Sequence, residues 1–144
     1  MQIPWYITAL GAALIWGIHY PLIDHALKKI SLLGVLVLTV IPVLLITPFF
    51  SATLASDYQA FKTLDVTDKL SIAAIGLTSL LASVLLFMSI EGKNATLASL
   101  IEITYPVFVA IFSYILFKHS HVNASIILGG IMVITGASII IRYN

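Results

Sequence analysis

The residues best equipped for chemistry lie in SLIEITYPVF, residues 99–108. One carboxylate, Glu102, sits inside an apolar run, and a proline follows at 106. Ser99, Glu102, Pro106, Val109 and Ser113 fall at i, i+3, i+7, i+10 and i+14, which is one helical face, and Tyr105 flanks it. An ionised carboxylate turned toward lipid costs about 3 kcal/mol. Glu102 is therefore expected either to be protonated or to face the protein interior. Three uses fit. It can take up and release a proton, it can hold its charge against a cationic substrate, or as a protonated acid it can hydrogen-bond a neighbouring helix.

A second cluster lies in LIWGIHYPL, residues 14–22. Trp16 and Tyr20 are i, i+4 neighbours on a helix, with His19 beside them. Aromatic faces attract organic cations, but Trp and Tyr also gather where a helix leaves the bilayer, the role expected of Trp5 and Tyr6. Trp16, His19 and Tyr20 are candidates to line a pathway. His119 and His121 flank a serine with no further ligand nearby in sequence, so no metal site is expected. No cofactor is expected either. The chain has no cysteine, no Gly-rich phosphate loop, no zinc-protease helix and no serine elbow, which argues against an enzyme. A net charge of +1 predicts no nucleic-acid partner.

The elements that must position these groups follow from where charge is missing. Of 144 residues, 60% are hydrophobic and 9% charged, against about 25% charged in an average soluble domain. Long uncharged stretches predict five membrane helices, at about 4–22, 31–50, 70–90, 95–117 and 122–142. Each stretch reaches or exceeds the roughly 20 residues needed to cross about 30 Å of hydrocarbon. Lipid cannot satisfy backbone groups, so continuous apolar runs fold as helices. The first span lacks a preceding Lys or Arg and is too long for a cleaved signal peptide. The fold class is thus an all-α, five-helix membrane protein, with the lipid bilayer as its solvent.

Local signals refine this outline. Pro4 suits the first turn of the first span, Gly92 is expected to end the third in a left-handed conformation, and Asn94 to cap the fourth. The stretch 51–69 reads as a surface loop with a short amphipathic turn. Pro42 and Pro106 are interior prolines and predict kinks. Small residues on one side of a helix let backbones approach: Ala9, Ala13 and Gly17; Gly76 with Ser79 and Ser83; Ser125, Gly129 and Gly136. An N-terminus outside leaves Lys28, Lys29, Lys93 and Arg142 inside and Lys62, Lys69 and Lys118 outside. So small a bias is compatible with insertion in both orientations, or with one orientation fixed by Lys28 and Lys29.

Three stretches resemble the EamA-like family of the drug/metabolite transporter superfamily: ALIWGIHYPLIDHAL, ATLASLIEITYPVFVAIFSYILF and ILGGIMVITGASIII. The matching residues are the Trp16-Gly17 pair, Pro106 before an aromatic-apolar run, and Gly130 with Gly136. The resemblance covers the whole chain as one five-helix domain. It implies half of a ten-helix inverted-repeat transporter, hence a homodimer, parallel or antiparallel, or a second five-helix partner. One departure is clear. Where the family often has a Gly-Glu pair after the fourth span, this chain has Lys118 and His119. The combined expectation is a secondary transporter in a bacterial or archaeal inner membrane. It would export a small metabolite or amphipathic compound, with proton coupling through Glu102. A lipid-linked flippase component and a non-transporting assembly or regulatory subunit stay open beside it.

Overall fold

The computed structural model describes residues 3–118 and 122–144, so His119 and His121 lie outside the described residues. The described residues are helical with no strand. In chain order they form α1 (Trp5–Leu27), α2 (Leu32–Ile46), a 3-10 turn (Thr47–Phe50), α3 (Ser51–Thr63), α4 (Val66–Gly92), α5 (Ala95–Glu102), α6 (Tyr105–Phe117) and α7 (Ala124–Tyr143). Five segments are long and apolar enough to cross a bilayer: α1, the continuous run Leu32–Thr63, α4, the run Ala95–Phe117, and α7.

Four details differ from the sequence expectation. First, α1 does not stop at 22 but runs through Pro21 to Leu27. A proline forfeits one intrahelical bond, and the i,i+4 ion pair of Asp24 with Lys28 at 3.1 Å supports the turns beyond it. The link read as DHALKKIS shrinks accordingly. Second, the loop expected over 51–69 is helix up to Thr63, and only Leu64 and Asp65 separate α3 from α4. Residues 51–63 hold no Gly or Pro and several good helix formers. Their charges mark contact with water, not loss of helix. The run Leu32–Thr63 has 32 residues, about 48 Å at 1.5 Å each, and so exceeds the hydrocarbon thickness. Pro42 leaves α2 unbroken, whereas Pro48 coincides with the 3-10 turn.

Third, Gly92 is the last residue of α4 and no glycine has a positive φ. The sharp connection is made instead by Asn94, whose backbone is extended (φ −175°, ψ 166°) and whose side-chain oxygen accepts from Leu97 N at 2.8 Å. Fourth, the span over 95–117 is not a single kinked helix but two, with Ile103 and Thr104 between them. Pro106 has no N–H to give the Glu102 carbonyl, so the helical ladder loses a bond there. The chain tightens there: Thr104 N bonds Ile101 O at 3.1 Å and Val107 N bonds Thr104 O at 3.1 Å, each three residues back.

Two compact units divide the chain. One comprises residues up to Leu22 together with Gly92–Asn144; the other is Ile23–Glu91. In the first, α5 packs on α7, and the buried side chains are Ala95, Ala98 and Ala137. Small buried side chains on both helices suit close backbone approach, the economy by which helices associate in lipid, where apolar burial gives little drive. Lys93 Nζ donates to the Asn144 carbonyl at 2.7 Å, tying the end of α7 to the α4–α5 turn. In the second unit the buried residues are Ile23, Leu27, Val35, Phe87 and Ile90. Asp65 caps α4 by accepting from Asp68 N at 2.7 Å, and Lys69 Nζ reaches back to the Lys62 carbonyl at 3.1 Å, which closes the α3–α4 turn. Most other apolar side chains are exposed, as expected where lipid replaces water.

Asn94 starts the short helix that carries Glu102. Asn94→Ala should cost about 1 kcal/mol, the usual worth of an N-cap, and lower the thermal midpoint in detergent. Asn94→Asp should retain most of it.

Candidate functional site

The site is built from α1, α5 and α6 within one compact unit. Glu102 is the last residue of α5 and is half-buried. Its Oε2 accepts the hydroxyl of Tyr20, on α1, at 2.5 Å. The depths agree with a membrane crossing. Tyr20 lies seven residues before the end of α1 at Leu27, and Glu102 seven after the start of α5 at Ala95. At 1.5 Å per residue, each group therefore lies about 10 Å along its helix from that end. A hydroxyl–carboxylate bond there gives the acid a partner that lipid cannot.

Trp16 stands one turn back on α1. Its ring lies 5.4 Å from that of Tyr20 at 43°, and 5.1 Å from that of His19, nearly edge-on at 78°. Trp16 remains 51% exposed. Tyr105, the first residue of α6, is also exposed and lies close enough to Tyr20 to interact with it electrostatically.

The remaining candidates are not part of this cluster. The Ser99 hydroxyl donates to the Thr96 carbonyl at 3.0 Å, a local back-bond that satisfies it within α5. Ser113 is half-buried in α6, and among the described residues it makes no hydrogen bond to Glu102. Pro106 is exposed and opens onto a different feature, an apolar groove of about 740 Å³ between α6 and α7. Gly129 and Gly130 line it with Val107, Ala110, Ile111, Tyr114 and Ile134 among others. A Cβ at Gly130 would meet Val107 Cγ2 at 3.4 Å, an ordinary van der Waals contact. Gly17, Gly76, Gly129 and Gly136 have open space where a Cβ would stand.

Sequence reasoning placed Tyr20 and Glu102 among the candidates but did not pair them, because the partners are 82 residues apart. The α6–α7 groove was missed as a feature. Its available signal was the adjacent Gly129-Gly130 pair on a helix otherwise rich in isoleucine.

The EamA-like transporter family matches residues 3–142. The chain belongs to that family. No curated protein and no solved structure gives a significant match. Membership makes the protein a multi-pass membrane transporter of the drug/metabolite transporter superfamily rather than an enzyme, with the bilayer as its medium and small molecules as the class of cargo.

If the Tyr20–Glu102 bond contributes to the EamA-like fold, a double-mutant cycle should show it. Tyr20→Phe and Glu102→Gln should each lower stability in detergent, and the double variant should lose less than their sum. The coupling is expected at about 0.6 kcal/mol, the average for interhelical hydrogen bonds in membranes. Strict additivity would mean that the contact carries no stabilisation.

Proposed function

We propose that this EamA-like protein is a secondary transporter that exports a small metabolite or amphipathic compound from a bacterial or archaeal cytoplasm, coupled to protons through Glu102. The observation that supports this reading is the half-buried Glu102 carboxylate, set at a break in a spanning helix and held by Tyr20. Interrupted helices at mid-membrane are where transporters expose polar backbone to cargo and coupling ions. Trp16, His19, Tyr20 and Tyr105 would line the pathway with Glu102. Ser99, Pro106 and Ser113, the other pathway candidates, would act outside the Tyr20–Glu102 cluster. Gly17, Gly76, Gly129, Gly130 and Gly136 would serve helix packing.

Five spans form half of the ten-helix unit that the family resemblance implies. A homodimer, with its copies parallel or antiparallel, or a second five-helix chain would complete it. The open space over Gly17, Gly129 and Gly136 supports a further helix approaching there. A second reading, a flippase component for a lipid-linked substrate, draws on the α6–α7 groove, whose lining suits an acyl chain.

Glu102→Gln in proteoliposomes should abolish flux driven by a pH gradient while leaving expression intact. Unchanged flux would remove the acid from the mechanism. Export of lipid-linked but not water-soluble compounds would favour the second reading.

Reporters active on one side of the membrane, fused separately to each terminus, should give comparable signals from both sides if copies insert in opposite orientations. A one-sided result would exclude the antiparallel homodimer.

A further inference from the structure

We propose that the Trp16–Tyr20–Glu102 cluster recognises a particular cargo class: an ammonium ion that carries N–H donors on an apolar, preferably aromatic, body. This rests on the reading of Glu102 as part of the transport path. Charge is the first argument. Glu102 is the sole acid in the compact unit that holds it, and its side-chain partner is the neutral hydroxyl of Tyr20. Among the described residues the side-chain ion pair is Lys28 with Asp24, so no Lys, Arg or His neutralises Glu102. Oε2 takes the tyrosine proton, and Oε1 has no donor among the described residues.

The backbone supplies the second argument. Glu102 ends α5 and therefore sits at the negative end of that helix, where a cation is favoured and a bare carboxylate is not. Pro106 cannot donate to the Glu102 carbonyl. Val107 N turns to Thr104 O instead of reaching the Ile103 carbonyl. The Glu102 and Ile103 carbonyls thus both lose the N–H four residues ahead. Three oxygens on two adjacent residues thus want donors in a medium that offers few. A primary or secondary ammonium brings both the positive charge and the N–H groups. A quaternary ammonium brings charge alone, a neutral alcohol brings a donor alone, and an anion is repelled.

The third argument is the wall. Trp16 is about half exposed as a residue, and its ring stands 5.4 Å from that of Tyr20. An aromatic face attracts a cation and accepts a flat apolar body.

The chain has two tryptophans, so in a Trp5→Phe background Trp16 emission alone reports occupancy. In nanodiscs, 2-phenylethylammonium should give a saturable change. Its N,N,N-trimethyl derivative should bind about tenfold more weakly for want of N–H donors, and 2-phenylethanol should not saturate. Glu102→Gln should weaken the primary ammonium by about tenfold or more, while Glu102→Asp, which keeps the charge, should bind it. Equal affinity for the three probes on the unsubstituted site, or binding unaffected by Glu102→Gln, would overturn the assignment. Proton-driven flux that needs Glu102, with no ammonium binding, would leave the coupling role standing and remove this cargo class. Saturable ammonium binding without any flux would do the reverse.

Discussion

A carboxylate in hydrocarbon needs a partner, and the geometry around Glu102 follows from that constraint. The Tyr20 hydroxyl supplies one at 2.5 Å, from a helix remote in sequence. The penalty of an unpartnered acid at mid-membrane, about 3 kcal/mol, is large beside the roughly 0.6 kcal/mol that an average interhelical hydrogen bond contributes in a membrane protein. The bond therefore does more to make the acid tolerable than to hold the helices together. Helix contact is left to small residues. Ala95, Ala98 and Ala137 are the buried side chains of the unit in which α5 packs on α7.

The same stretch shows how one proline changes the chemistry around an acid. In an uninterrupted helix the Glu102 carbonyl would be spent on the N–H four residues ahead. Pro106 removes that N–H, the chain tightens through Ile103 and Thr104, and α6 restarts at Tyr105. Acid and free carbonyls then share one point along the span. An eight-residue helix such as α5 would be marginal alone. It persists because Asn94 caps its start, Ala95 and Ala98 are buried, and it packs on α7.

Membrane class and span number were legible in the sequence because charge cannot hide in lipid: the uncharged stretches are the spans, give or take a few residues. What could not be read was continuity. Residues 51–63 carry charge and looked like loop, yet helix needs only good formers and the absence of breakers, which Ser51–Thr63 satisfies. Conversely, 95–117 looked like one span and is two helices, because a proline's effect depends on the turn it interrupts. Pro21 and Pro42 are absorbed; Pro48 and Pro106 coincide with 3-10 or broken geometry. For the site, residue types flagged Trp16, Tyr20 and Glu102, since polar and aromatic groups stand out in an apolar chain. Their pairing depended on how α1 and α5 lie together, and periodicity within one helix carries no information about that. Ser99 was grouped with Glu102 on periodicity, but its hydroxyl is satisfied locally by Thr96.

The end of α6 bears on how much weight Glu102 carries. Lys118 closes that helix in a left-handed conformation, φ 56°, which costs an ordinary side chain about 1–2 kcal/mol and costs glycine little. Where the resemblance to the EamA-like family implies a Gly-Glu pair after this span, the chain has Lys118 and His119. Lys118 offsets part of the strain by bonding its N–H to the Tyr114 carbonyl at 3.0 Å and placing its ammonium 5.5 Å from the Tyr114 ring. The acid of that pair has no counterpart in Lys118 or His119. Within Gly92–Asn144 and the chain up to Leu22, negative charge resides on Glu102 alone. A cation or proton drawn into this half of the protein by a carboxylate has a single residue to meet.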